Sequence, residues 1–143
     1  MKTDDSSKFG GATGPRILVV DDDVAVLTLA KAVLESSGYE ALAASSGEEA
    51  FEVYSHAFEG GALIELVLLD ITLPGGISGV ETLDLLKKLD PEVKVIASSG
   101  YFDDSAAEAA KERGFVGILP KPYAADRLTK IVQWSTGTRA AAA

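Results

Sequence analysis

The chain of 143 residues contains no cysteine. Disulfide bridges and thiolate metal sites are therefore excluded, and a reducing compartment, the cytoplasm, is the expected location. No apolar run reaches the roughly 18 residues that a membrane-spanning helix needs. The first residues, MKTDDSSKFGGATGP, also have no apolar signal core. We therefore expect a soluble chain with no membrane segment.

Basic side chains are also scarce. Lys and Arg together number 13 against 22 Asp and Glu, and the formal net charge is −9. Binding to nucleic acid depends on neutralising phosphates with basic side chains. The sequence thus predicts no direct nucleic-acid partner.

The length and composition predict a single domain. Hydrophobic residues make up 47% and charged residues 24% of the chain, as in ordinary soluble domains. Residues 1–15 are polar and rich in Gly, Ser and Asp, which is typical of a flexible tail or linker. We expect the folded domain over residues 16–136 and a disordered tail over 137–143.

Five short apolar runs alternate with segments of helical spacing. The runs have strand length and lack period-two polarity, as strands buried on both faces do. They lie at residues 17–20, 40–44, 66–70, 93–97 and 116–120. The alternation predicts an α/β fold, a doubly wound, five-stranded parallel sheet with five helices. We expect the flavodoxin-like strand order 2-1-3-4-5, one of the common orders of such sheets.

Several helix ends can also be predicted. Gly38 stops the first helical pattern, which runs from Val24. Ser46 and Glu49 have the spacing of a capping box at the start of the second helix. Asp23 suits the N-cap of the first helix. The remaining helical patterns lie at 79–89, 103–114 and 124–135.

Chemically capable side chains follow four of the five predicted strands. Ligand sites in open α/β sheets lie beyond the carboxyl ends of the strands. Strands one and three are neighbours in the expected order, so the carboxylates of Asp21, Asp22 and Asp70 should converge. Ser98 follows the fourth strand, with Ser99 as an alternative, and Lys121 follows the fifth.

Three converging carboxylates need compensation. Two unit charges about 4 Å apart repel by roughly 4 kcal/mol at an effective dielectric constant of about 20. A hard divalent cation relieves this repulsion, and Mg²⁺ suits a site built from carboxylate oxygens without His or Cys.

The same residue types suit phosphoryl transfer. A carboxylate can attack phosphorus and form an aspartyl phosphate, a reaction that depends mainly on positioning and charge stabilisation. The Lys121 ammonium group can serve as a point charge, and the Ser98 hydroxyl can donate a hydrogen bond to a phosphoryl oxygen.

Four segments, ILVVDDD, LVLLDITLPG, VIASSG and LPKPY, occur in the order and at the spacing of one family's signature. The chain resembles the CheY-like receiver domain of two-component response regulators over residues 16–136. The segments VIASSGY and PGGISG are similar to segments of receiver domains at the C-terminus of hybrid sensor histidine kinases. The resemblance thus implies a role in phosphorelay signal transduction.

The resemblance also implies roles for individual residues. Asp70 is the phosphoacceptor, assisted by Ser98 and Lys121. Asp22, Asp70 and the backbone carbonyl of Thr72 are implied as Mg²⁺ ligands, with Asp21 acting through water. The implied donor is a phosphohistidine on a histidine kinase or histidine phosphotransfer protein, and the peptide bond before Pro122 is often cis in the family.

Two features depart from the family pattern. Ile118 stands where many receivers carry an aromatic side chain that rotates on phosphorylation, and the loop after Asp70 has one glycine more than the commonest form. The sequence therefore does not decide whether the usual side-chain switch operates or where the third helix begins.

Alternatives to a phosphoacceptor switch stay open on the sequence alone. One is an aspartate-nucleophile phosphohydrolase of haloacid dehalogenase type, although that family has an acid where this chain has Thr72. Another is a receiver-like binding module without turnover. Catalysis beyond the chain's own phosphorylation and dephosphorylation, a parent hybrid kinase and a homodimer are undecided.

Overall fold

The computed structural model describes residues 14–100 and 103–137. Five parallel strands form one sheet in the order β2-β1-β3-β4-β5. The strands are β1 (Arg16–Val20), β2 (Glu40–Ala44), β3 (Ile64–Asp70), β4 (Val95–Ser99) and β5 (Gly117–Pro120). This architecture confirms the predicted doubly wound α/β fold. The predicted tails, 1–15 and 137–143, lie outside the described residues except for positions 14, 15 and 137.

Helices connect the strands on both faces of the sheet. They are α1 (Val24–Ser36), α2 (Gly47–Glu59), α3 (Gly79–Leu89), α4 (Asp104–Arg113) and α5 (Ala125–Val132). The fifth differs from the continuous helix predicted over 124–135, because the chain passes into a π-helical turn at Gln133–Gly137. There the hydroxyls of Ser135 and Thr136 donate to backbone carbonyls four residues earlier. Within the described parts of the chain, no helix combines the length and apolar character required to cross a membrane.

Short polar side chains begin the helices. Asp23 caps α1 and Ser46 caps α2, each accepting a backbone N–H of the first turn, as predicted. The Glu49 carboxylate accepts from Ser45 rather than from Ser46, so this capping box is displaced by one residue. A complete capping box, missed in the sequence, joins Ser78 and Glu81 at the start of α3.

Strand β4 lies two residues later than predicted. A turn occupies the preceding segment, where the Val93 N–H donates to the Asp90 carbonyl and the Glu92 N–H donates to the Asp90 carboxylate. Pairing with β5 extends to Ser99. Ser98 therefore lies within the strand, directly beside Asp70 of β3, and not beyond the strand end as expected.

Two hydrophobic cores cover the two faces of the sheet. One contains Leu18, Val20, Val67 and Leu69 with side chains from α2, α3 and α4. The other contains Ile17, Val19, Leu66 and Leu68 with side chains from α1 and α5. The apolar, non-alternating strands of the sequence are thus buried on both sides. Polar chemistry is consequently confined to the ends of the strands.

The longer loop after Asp70 leaves α3 where the sequence predicts it. Two successive glycines, Gly75 and Gly76, absorb the additional length with φ values of +66° and +52°. L-residues with side chains rarely adopt that left-handed region. The helix then begins at Gly79, the predicted position.

Candidate functional site

The carboxyl edge of the sheet brings three aspartates together. Asp21 directly follows β1 and Asp70 ends β3, and these two strands pair, so both side chains lie at the same edge. Ligand oxygens of Asp21, Asp22 and Asp70 all lie within 4.8 Å of one another. We call these three residues the acidic cluster. Asp21 and Asp70 are buried, whereas Asp22 is exposed to solvent.

Lys121 reaches the acidic cluster from the end of β5. Its Nζ atom lies 2.6 Å from Asp21 Oδ2 and 2.9 Å from Asp70 Oδ2. The Lys121 N–H donates to the Ser99 carbonyl at 2.7 Å, which anchors the backbone at this point. The peptide bond from Lys121 to Pro122 is cis, as the family resemblance implied.

The second oxygen of Asp70 is held by Thr72. Asp70 Oδ1 accepts the Thr72 backbone N–H at 2.8 Å and the Thr72 hydroxyl at 2.7 Å. Both Asp70 oxygens therefore have donors, which fixes the plane of the carboxylate. The family resemblance implied a role for the Thr72 backbone carbonyl, but the hydrogen bond from the Thr72 hydroxyl to Asp70 was not predicted. A hydroxyl two residues after a strand-end aspartate could have suggested this turn.

These contacts favour the charged forms of Asp70 and Lys121. Burial raises the pKa of Asp70, but hydrogen bonds from Thr72 and Lys121 outweigh burial and hold that pKa below its usual value. Burial lowers the pKa of Lys121, but hydrogen bonds to Asp21 and Asp70 outweigh it and raise that pKa. The cluster thus sets three carboxyl groups against one ammonium group.

Ser98 carries a buried hydroxyl without a partner. Its side chain is 4% exposed, and its Oγ atom makes no hydrogen bond to any residue that the structure describes. A buried polar group left unsatisfied costs about 1–3 kcal/mol. Consecutive strand residues point to opposite faces, so only one of Ser98 and Ser99 shares the direction of Asp70. Ser98 is the residue in register with Asp70.

The donor set fits a hard divalent cation. All three acidic-cluster ligands are carboxylate oxygens, which Mg²⁺ prefers over softer nitrogen or sulfur ligands. One ammonium group leaves a formal excess of negative charge, and exposed Asp22 gives an ion access from solvent. The residues present therefore fit Mg²⁺.

An apolar pocket adjoins the acidic cluster. It has a volume of about 380 Å³ and extends from the start of α1 to the segment after β5. Burial and the nearby Asp21 carboxylate raise the pKa of Tyr123 in its wall to about 12. The pocket residues are Asp23, Val26, Leu29, Gly100, Lys121, Pro122 and Tyr123.

The chain matches one family model and many known proteins. The response regulator receiver domain model covers residues 17–133. The nitrogen assimilation regulatory protein NtrX of Azorhizobium caulinodans is 36% identical over 125 residues, 82% of this chain and 25% of that protein. The sensor kinase CckA of Brucella abortus is 34% identical over 124 residues, 87% of this chain and 12% of that protein. The chain thus spans a quarter or less of these two relatives.

A shorter relative and several solved structures match over most of their own length. Sporulation initiation phosphotransferase F of Bacillus subtilis is 29% identical over 118 residues, 82% of this chain and 90% of that protein. A CheY-like receiver domain protein of Methanospirillum hungatei has a TM-score of 0.77 at 28% identity, covering 92% of this chain and all of that one. The receiver domain of NtrX from Brucella abortus has a TM-score of 0.74 at 35% identity, covering 85% and 98%.

These matches agree with the site geometry. Receiver domains of two-component systems accept phosphoryl groups from histidine kinases and bind Mg²⁺ through an acidic pocket. The matches give no support to the phosphohydrolase alternative. Because the family model covers most of the chain and the fold is that of solved receivers, the chain belongs to the receiver domains of two-component phosphorelay response regulators.

Proposed function

We propose that Asp70 accepts a phosphoryl group from a phosphohistidine on a histidine kinase or histidine phosphotransfer protein. The observation that carries this proposal is the burial of Asp70 between Lys121 and two further carboxylates. One Asp70 carboxylate oxygen attacks phosphorus and forms an O–P bond while the P–N bond to histidine breaks. The imidazole nitrogen keeps the electron pair and takes up a proton.

Three side chains of this chain would support that step. The Lys121 ammonium group, already 2.9 Å from Asp70, neutralises negative charge on the incoming phosphoryl group. The unpartnered Ser98 hydroxyl donates to a phosphoryl oxygen, which satisfies its hydrogen-bonding capacity. Thr72 holds the Asp70 carboxylate plane through two hydrogen bonds, so little reorientation is needed before attack.

The acidic cluster would hold the cation that the transfer requires. Asp21, Asp22, Asp70 and the backbone carbonyl of Thr72 are the proposed Mg²⁺ ligands. When bound, Mg²⁺ supplies positive charge that offsets the cluster's excess carboxylates and the phosphoryl oxygens.

The pocket beside the cluster suits the approach of a protein donor. Val24 and Leu29 on α1 are 73% and 50% exposed, and Leu29 also lines the apolar pocket next to Lys121. Leu29 and the apolar wall of this pocket together form exposed apolar surface, which supports a protein contact here. We propose that the exchange takes place in the cytoplasm and that phosphorylation changes the contacts made by the segments after β4 and β5. Ile118 in place of an aromatic residue means that this change proceeds without the family's usual aromatic rotation.

Phosphorylation by a small donor tests the proposal. Acetyl phosphate with Mg²⁺ should add the mass of one phosphoryl group to the wild-type protein, and Asp70→Asn should abolish this gain. Asp84→Asn, which changes an exposed aspartate on α3, is the control and should be labelled like wild type. No mass gain in wild type, or an undiminished gain in Asp70→Asn, contradicts the proposal.

The same assay separates the two adjacent serines. Removing the hydroxyl that contacts the transferred group should slow labelling by about tenfold to a hundredfold, as for loss of one hydrogen bond to a charged group. We expect this from Ser98→Ala, with Ser99→Ala close to wild type. The reverse order would assign the role to Ser99.

A further inference from the structure

The loop that carries Thr72 closes on itself. It runs from Ile71 to Ser78 between β3 and α3. A β-carbon on Gly79 would lie 2.5 Å from the Ile71 Cα atom and 2.9 Å from the Asp70 carbonyl oxygen. The end of the loop therefore packs directly on the backbone where the loop begins, so movement at one end displaces the other.

Glu48 of α2 contacts the second half of this loop, at Gly76 and Ile77. Its Oε2 atom accepts the Ile77 backbone N–H at 3.0 Å, across 29 residues of sequence. Its carboxylate also covers Gly76, where a β-carbon would lie 2.6 Å from Oε2 and 2.7 Å from Oε1. Gly76 has a φ of +52°. The additional glycine of the loop thus permits both the turn and the close approach of Glu48.

The start of α2 packs against the same half of the loop and against α3. A β-carbon on Gly47 would overlap the Thr82 hydroxyl oxygen and lie 2.6 Å from the Ile77 Cγ1 atom. Glu48 therefore projects from a helix end that is already in contact with the loop. This contact fixes the backbone from which Glu48 extends, so the distance from α2 to the Ile77 N–H is set by packing rather than by Glu48 alone.

We propose that Glu48 is a positioning residue, which holds the loop so that the Thr72 backbone is placed for cation binding by the acidic cluster. Glu48 acts through the Ile77 N–H and the closed loop, without touching the cluster itself. This inference rests on the proposed function for its biological meaning. The attachment itself can be measured without phosphorylation.

Amide hydrogen exchange and calorimetry test the attachment and its effect on the cation. In Glu48→Ala, we expect the Ile77 amide to exchange about tenfold faster, and Mg²⁺ to bind about threefold more weakly, as for loss of one charged hydrogen bond. Glu48→Gln keeps an oxygen acceptor and should recover most of both values. Glu52→Ala removes the same charge from an exposed position one turn later and should match wild type.

The dependence of labelling on Mg²⁺ concentration separates positioning from general destabilisation. Glu48→Ala should raise the half-saturating Mg²⁺ concentration about threefold and leave the rate at saturating Mg²⁺ unchanged. Equal Mg²⁺ affinity in Glu48→Ala and wild type, or equal weakening in Glu52→Ala, overturns the inference. Absence of labelling in wild type overturns the proposed function alone, because exchange and calorimetry still decide the role of Glu48.

Discussion

At the carboxyl end of the sheet Asp70 contacts Lys121, and at the opposite end Asp90, which follows α3, accepts a hydrogen bond from Tyr54 at 2.7 Å. Both contacts join a carboxylate to a donor from a distant part of the chain. At the Asp90 end the donor is neutral. At the Asp70 end the donor is charged, and Asp21 shares it at 2.6 Å.

The pKa values show what this difference means. Burial, together with the hydrogen bond and charge of Asp90, raises the pKa of Tyr54, so the phenol stays protonated. This pair is complete, and it joins α2 to the end of α3. The acidic cluster has more negative than positive groups, and the Ser98 hydroxyl beside it has no hydrogen-bond partner among the described residues. A donor and an acceptor that satisfy each other, such as Tyr54 and Asp90, stabilise the fold. A cluster with excess carboxylates beside an unpaired hydroxyl is instead suited to binding a ligand.

Removing the Lys121 ammonium group at the Asp70 end should have the largest effect on stability. Lys121→Met keeps the aliphatic stem but leaves the buried carboxylates of Asp21 and Asp70 without their ammonium partner. Breaking such a pair costs about 3 kcal/mol. Urea unfolding without Mg²⁺ should show this loss. A change below about 1 kcal/mol would mean that water already compensates the cluster.

Neutralising the exposed member of the cluster should remove the response to Mg²⁺. Wild type should gain about 2.7 kcal/mol of unfolding free energy at a Mg²⁺ concentration one hundred times the dissociation constant. Asp22→Asn should lose most of this gain, because a proposed ligand is missing. Asp84→Asn is the control. Equal Mg²⁺ stabilisation of Asp22→Asn and wild type would contradict the assignment of Asp22.

Breaking the pair at the other end should affect stability without affecting labelling. Tyr54→Phe removes the hydrogen bond to Asp90 and should lower the unfolding free energy by about 1.5 kcal/mol. Labelling by acetyl phosphate should keep its wild-type rate, since Tyr54 lies at the end of the sheet opposite Asp70. Slower labelling would show that the two ends are coupled.

The free energy of unfolding at alkaline pH should distinguish the Tyr54–Asp90 pair further. The pKa of Tyr54 is raised in the fold above its ordinary value of 10.0, so the stability it contributes is complete below pH 10 and is lost as pH rises towards the folded pKa. Above pH 10, wild type should lose up to about 1.4 kcal/mol per pH unit more than Tyr54→Phe. Unfolding curves of the two proteins should therefore converge. A constant difference up to pH 11 would contradict the raised pKa.

The acidic cluster was predictable once the flavodoxin-like strand order was expected, because that order makes β1 and β3 neighbours. Apolar runs alternating with helices predict parallel strands, and residues that end adjacent parallel strands must share an edge. Asp21 follows one of two such neighbouring strands, and Asp70 ends the other. Lys121 also follows a strand, so its arrival at this edge was predictable.

Contacts that depend on side-chain direction or loop path were not predictable. Tyr54 and Asp90 lie 36 residues apart in sequence, and neither follows a strand. The Glu48 contact depends on how two glycines fold the loop after Asp70. The start of β4 was misplaced because a run of apolar residues does not reveal the turn that the Asp90 carboxylate stabilises.

Locating the phosphoryl group tests the central claim most directly. Borohydride converts an aspartyl phosphate into homoserine, which peptide mapping can assign to one position. After treatment with acetyl phosphate and Mg²⁺, we predict homoserine in place of Asp70 and nowhere else, with none when Mg²⁺ is chelated. Homoserine at Asp21 or Asp22, or equal conversion of Asp70 with and without Mg²⁺, would contradict the account.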